Sequence, residues 1–294
     1  MSTFSIRYRF SLPNGKEHVF LLELQSETCV LVSSQSGAST ATASVGVSAG
    51  APAGKAAGKS ARQPANPPAA SSGTPSDDVS TQNSHANNPA NSAANPPEWA
   101  ALKFHQCKNC PLPAEATHCP SALQLSGVID GFADVISYDN LQVTVETEER
   151  AISARLSAQQ GLASLIGLIM ATSGCPSTAV FRPMARFHLP FSSEVETAYR
   201  SASMYLIAQQ FILDDGGTPD LHMAGLERIY RGVHEVNRGM AQRLRAASRQ
   251  DAIVNAVVQL DVLTNLVPAT IEELLQEIRP AFEPLLAVVR KTRR

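Results

Sequence analysis

The chain has 294 residues, with 24 Lys plus Arg against 26 Asp plus Glu and a formal net charge of −2. An apolar fraction of 44% is that of an ordinary globular protein, so one or two domains with real cores can form without covalent staples. The near balance of charge leaves no field to draw nucleic acid or an anionic membrane, and neither is expected as a partner.

At the start, Phe4, Ile6, Tyr8 and Phe10 alternate with Ser5, Arg7, Arg9 and Ser11, the period-2 signature of a half-buried strand. The same stretch lacks the continuous apolar run of a secretory signal, so a cytoplasmic location is expected. Pro13-Asn14-Gly15-Lys16 supplies turn chemistry, His18–Leu24 reads as a second strand, and Thr28-Cys29-Val30-Leu31-Val32 as a third. This small antiparallel β-unit, residues 1–32, can bury little alone, and its edges could dock a later domain or a protein partner.

From Ser33 to Asn95 the sequence collapses into Ala, Ser, Pro, Gly, Asn and Thr, without Leu, Ile, Met, Cys or an aromatic residue. Such a composition predicts a disordered low-complexity linker. Inside it Ala53–Ser60 matches a relaxed phosphate-loop pattern, but without a strand before it and a helix after it the match carries no nucleotide site.

Residues 96–294 are predicted to form a mainly helical domain, which makes the chain α+β overall. Trp99 reads as a packing anchor, 121–132 as a helix, and 139–147 as a strand paired with 152–156. Helices are expected at 162–172, after Gly161, and at 194–213, 221–248, 250–266 and 271–289, with Gly216-Gly217 and Pro268 as breaks. In the second of these, Val195, Ala198, Tyr199, Ala202, Tyr205, Leu206 and Phe211 form a stripe expected to face a core. The most apolar run, 162–172, is shorter than the roughly 20 residues that span a bilayer.

The strongest chemical signal is Cys107-Lys108-Asn109-Cys110-Pro111-Leu112 followed by His118-Cys119-Pro120. A Cys-x2-Cys turn sets two thiolates within the bite of a tetrahedral ion or a cluster iron. Cys119 supplies a third ligand and Cys175 a fourth, with His105, His118 and His188 as alternatives. An iron-sulfur cluster is favoured slightly over zinc, because no glycine of the zinc-knuckle kind follows the pair and Cys110, Cys119 and Cys175 precede proline. The role of such a centre would be redox, sensing or structural. Cys29 reads as a small core residue.

Two other readings stand beside the metal. In a thiol-disulfide oxidoreductase, Cys107 of the Cys-x2-Cys pair would attack a disulfide, with Lys108 and His105 stabilising its thiolate and Cys110 as the resolving thiol. In a structural adaptor without metal, the β-unit would dock a partner and the linker would set its reach.

Arg182, Arg186 and His188, between the apolar anchors of 181–191, could line a pocket for a carboxylate or phosphate cofactor. The plainer reading makes this a connector with its arginines on carbonyls and His188 a buried, satisfied imidazole. His234-Glu235-Val236-Asn237-Arg238 lacks the second histidine of a metalloprotease helix. Glu227 with Arg231 and Glu235 with Arg238 look like a solvated, ion-paired face. Asp251, Asn255 and Asp261 lie in an apolar helix and could bond to Arg243 or Gln209. No Gly-x-Ser-x-Gly elbow supports serine hydrolysis.

The cysteine motifs, Gln160-Gly161-Leu162 and the stretches 170–176 and 182–191 together resemble an uncharacterised bacterial family known as a domain of unknown function, some of whose members are described as selenoproteins. The resemblance runs from about Trp99 to the C-terminus and, more weakly, over the N-terminal strands, and it implies no activity. Selenocysteine at one of these positions in a relative would imply a reactive or metal-ligating chalcogen there.

Overall fold

The computed structural model describes residues 2–40 and 96–292, and side chains up to residue 38 in the first stretch. The phosphate-loop-like stretch and the rest of the low-complexity segment, residues 41–95, lie outside the described residues.

Strands β1 (Thr3–Ser11), β2 (Lys16–Gln25), β3 (Leu31–Thr40), β4 (Asn140–Glu146) and β5 (Ala151–Ser157) build one antiparallel sheet of order β3-β2-β1-β4-β5. Alternation in β1 works as read: Phe4, Ile6, Tyr8 and Phe10 all point into the core, joined by Phe20, Leu22 and Leu24 of β2 and Leu141, Val143 and Val145 of β4. The β1–β2 turn closes through the Gly15 amide on the Leu12 carbonyl, with Gly15 at φ +78°. β1 pairs on its other edge with β4, Arg7 opposite Glu146, so the N-terminal strands and the later part of the chain share a sheet and a core.

The third strand differs from expectation. Glu27–Cys29 form a turn in which Cys29 adopts φ +52°, and β3 begins only at Leu31. It then runs to Thr40, through eight residues whose composition reads as linker. Its backbone ladder to β2, Leu22 opposite Ser34 and Lys16 opposite Thr40, needs no apolar side chains, and only Leu31 reaches the core.

Helix α1 (Pro120–Gly131) and α2 (Ala158–Thr172) pack on the inner face of the sheet. Helix α2 starts before Gly161, where it meets the sheet too closely for a side chain: a Cβ there would sit 2.9 Å from Val143 Cγ2 and 3.2 Å from Phe10 Cε1. Its start is fixed by Ser157, whose amide donates to Gln160 Oε1. A short helix α3 (Arg182–Arg186) leads to α4 (Glu194–Asp214), α5 (Ala224–Ala247) and α6 (Ala252–Thr292). Gly216, at φ +82°, ends α4 as expected, with Gly217 bonding back to the Ile212 carbonyl.

Two helical expectations are corrected. Pro268 does not break the chain: the segments expected at 250–266 and 271–289 form one 41-residue helix that also carries Pro280 and Pro284. An internal proline costs about 3 kcal/mol, which burial of Val267, Ile271 and Leu274 against Ala198, Ala202 and Tyr205 of α4 and Tyr230 of α5 can offset. The merged helix is long and apolar enough by length and composition to cross a membrane, although its buried residues, Ala252 to Leu274, pack against the remainder of the molecule. In α4 only Ala198, Ala202 and Tyr205 of the predicted stripe are buried, while Val195, Tyr199, Leu206 and Phe211 are exposed.

Candidate functional site

The cysteines sit where the loop before α1 meets α2 and α5. That loop is pinned at its neck: Leu102 donates to the Thr117 carbonyl, Cys119 donates to the Ala100 carbonyl, and Ala101 bridges His118. Arg243 of α5 holds it from inside. Only 1% exposed, its guanidinium donates to the carbonyls of Trp99 at 2.8 Å, Ala101 at 2.7 Å and Leu102 at 2.8 Å. At the tip the Cys110 amide bonds to the Cys107 carbonyl, closing the Cys-x2-Cys turn, and Asn109 Nδ2 reaches the Gly232 carbonyl at 2.9 Å.

Cys107 lies against α5 at a glycine. A Cβ on Gly239 would stand 3.0 Å from Cys107 Sγ and 3.3 Å from the His105 carbonyl, and Cys107 Sγ is 4.0 Å from the Val236 carbonyl oxygen. Cys119 is the residue preceding α1, with Pro120 in the first turn, so its thiol lies near the Ser121 and Ala122 amides, which favour its thiolate. Cys175 follows α2 beyond Gly174, whose φ of +94° turns the chain back. A hydroxyl pair, Ser121 Oγ to Ser173 Oγ at 2.8 Å, ties the start of α1 to the end of α2 and so holds Cys119 beside Cys175.

All four are free thiols, Cys119 and Cys175 buried and Cys107 and Cys110 half-buried. Burial pushes the Cys107 thiol up to about 11, helped by Cys119, Cys110 and Cys175, while Arg243 pulls the other way. The Cys119 thiol is raised by burial and by Cys175, against the lowering pull of the Ala122 and Ser121 amides and of Arg243. The four residues predicted as ligands are thus brought into one neighbourhood. Among the described residues, however, no three His, Cys, Asp or Glu side chains are arranged to hold a metal ion.

Of the histidines considered for the fourth position, His105 stacks edge-on against Phe104 and His118 hydrogen bonds to Thr117 Oγ1. His188 is engaged elsewhere. Its Nε2 lies 2.6 Å from the Tyr8 hydroxyl, which also meets Ser164 Oγ at 2.8 Å, and burial with the nearby Arg200 pushes its pKa down to about 3. Arg186 lies over the Phe4 ring at 4.6 Å. Arg186 and His188 share a recess of about 110 Å³ with Glu148 and Glu149, whereas Arg182 does not line it, and Arg182 Nε is buried without a partner.

Arg243 and Gln209 do not serve Asp251, Asn255 and Asp261 as expected. Asp251 accepts from the Ser137 amide and hydroxyl, both at 2.9 Å, and from Asn255, and Asp261 meets His234 Nδ1 at 2.7 Å. Gln209 accepts instead from the Asp220 amide. Glu227–Arg231 is an exposed ion pair, as read, and Glu235–Arg238 pairs an exposed arginine with a half-buried glutamate. Arg243 and Gly239 are the site residues that the sequence reading missed. The visible signal was a charged residue interrupting the apolar stripe of Val233, Val236, Met240 and Leu244.

No curated protein and no solved structure matches the chain. A family model matches residues 76–283, a span that takes in Cys107, Cys110, Cys119 and Cys175 and none of β1–β3. By that match the chain belongs to the family described as a domain of unknown function, DUF6901.

Proposed function

We propose that Cys107, Cys110, Cys119 and Cys175 form a thiolate metal centre, an iron-sulfur cluster or zinc, that clips the loop before α1 onto α2 and α5. The observation that carries the reading is the gathering of four free thiols from separate stretches of chain, close enough for each of the other three to act on Cys107. Burial and the neighbouring thiols make Cys107 and Cys119 hard to ionise, and a cation relieves both effects, releasing protons as it binds. Arg243 and the first amides of α1 add fixed positive potential that favours thiolate sulfur. The same raised Cys107 pKa runs against an activated nucleophile, which weighs against thiol-disulfide chemistry as the primary role.

When bound, the metal would supply a crosslink and, for a cluster, an electron site. The chain's part is to orient the sulfurs and limit water. Elemental analysis and a visible spectrum of full-length protein purified without oxygen test this. Near one centre per chain is expected, with thiolate-to-iron absorption if it is a cluster and a colourless zinc protein otherwise. Cys107→Ser and Cys119→Ser should each lose the metal while keeping their helical circular dichroism. Four titratable thiols with no metal, or metal retained in both variants, would overturn the reading.

A further inference from the structure

A second site lies on the other side of α2. Helices α2, α4, α5 and α6, with residues of 178–192, line an open cavity of about 540 Å³, within the range of small-molecule sites. Its floor on α2 is cut by small residues one turn apart, Ala163, Gly167 and Ala171. At Gly167 a Cβ would stand 3.2 Å from Leu260 Cδ2 of α6, so the two helices approach closely there. From α5, Tyr230, Val233 and Asn237 face the same space at helical spacing.

Asn237 is the anomaly. It is 2% exposed, and its amide nitrogen is buried with no hydrogen-bond partner. Buried donors are almost always paired, and an orphan one beside a cavity marks where a ligand acceptor belongs. The only charged groups on the lining are Arg200 and Glu194. The Glu194 carboxylate accepts from the Thr270 hydroxyl. Arg200 bonds to the Met184 and Phe187 carbonyls and Ser192 Oγ, and among the described residues it has no carboxylate at ion-pair distance. The rest of the wall is mainly apolar.

We propose that this cavity binds one fatty acid per chain, its alkyl tail against the small-residue floor of α2 and its carboxylate accepting from Asn237 in the field of Arg200. The site is separate from the cysteines, and the proposal stands whether or not they hold metal.

The test is titration of the fluorescent fatty acid cis-parinaric acid into full-length protein, with decanoate as competitor. Saturable binding at one per chain, displaced by decanoate, is expected. Asn237→Leu should weaken it about 10-fold, the value of one hydrogen bond, and Ala171→Phe should abolish it by filling the floor. Because exposed apolar residues elsewhere could also take up a lipid, the location is read in the wild type from nuclear Overhauser effects of decanoate. Contacts to Leu263, in the cavity, are expected; contacts only to Leu285, exposed on the far part of α6, would overturn the proposal. So would non-saturable uptake, or equal affinity in wild type and a folded Asn237→Leu protein.

Discussion

Replacing Arg243 by methionine removes the post on which the cysteine-bearing loop hangs. The side chain is 1% exposed and gives three short hydrogen bonds, two to carbonyls with no other backbone donor, those of Trp99 and Leu102, and one to Ala101, which also accepts from Phe104. Methionine fills similar volume, so the packing loss is small and the cost is electrostatic. Two carbonyls left buried and unpaired cost about 2 kcal/mol each, a loss of about 4 kcal/mol against a typical total of about 5–15 kcal/mol. Urea unfolding followed by circular dichroism measures this directly, with the midpoint falling at constant slope. Arg243→Lys should fall between, because one ammonium on a flexible stem cannot serve three carbonyls in a fixed plane. A loss below about 1 kcal/mol for Arg243→Met would refute the claim that Arg243 anchors the loop.

Burial holds His188 neutral, with its pKa depressed from the usual value to about 3. The unfolded chain takes up this proton below about pH 6.5 and the folded protein does not, so this contribution is complete above that pH and is lost as pH falls toward 3. The loss is at most about 1.4 kcal/mol per pH unit, and His188→Gln should flatten the difference in unfolding free energy between pH 7 and pH 5. Gly161→Val should cost about 1–3 kcal/mol by overpacking, since its side chain would collide with Val143 and Phe10; a thermal melt shows it as a lowered Tm. The Cys107 thiol, pushed up to about 11, should be alkylated by iodoacetamide in the metal-free protein more slowly at neutral pH than a free cysteine, with the rate still climbing above pH 9. Peptide mass spectrometry over a pH series reads that profile.

Local pattern carried most of the elements. Period-2 alternation in Phe4–Phe10 and in Leu141–Val145 located the strands that line the core, and Gly216-Gly217 placed a helix end within a residue or two. What could not be read was pairing across distance. Nothing local in β1 says that Arg7 will lie opposite Glu146 across the low-complexity segment. The third strand was placed too early and too short because a strand held by its backbone ladder leaves no side-chain pattern in Ser33–Ala38. Pro268 misled because helix breaking is a local rule, and burial of Val267 and Ile271 outweighs it. At the candidate site, spacing picked out the cysteines. The residues that position them, Arg243, Gly239 and the Ser121–Ser173 pair, act only through tertiary contact. Of the stretch 182–188, Arg186 lies over Phe4 and His188 lines both recesses, while Arg200, which the sequence did not single out, lines the larger one.

X-ray absorption at the edge of the bound metal, on protein purified without oxygen, tests the central claim most directly. Four protein sulfur ligands at about 2.3 Å, for zinc or for the cluster irons together, are predicted, and Cys175→Ser should replace one of them with a lighter scatterer. A metal shell of nitrogen and oxygen, or a sulfur count unchanged in Cys175→Ser, would contradict the four-cysteine centre.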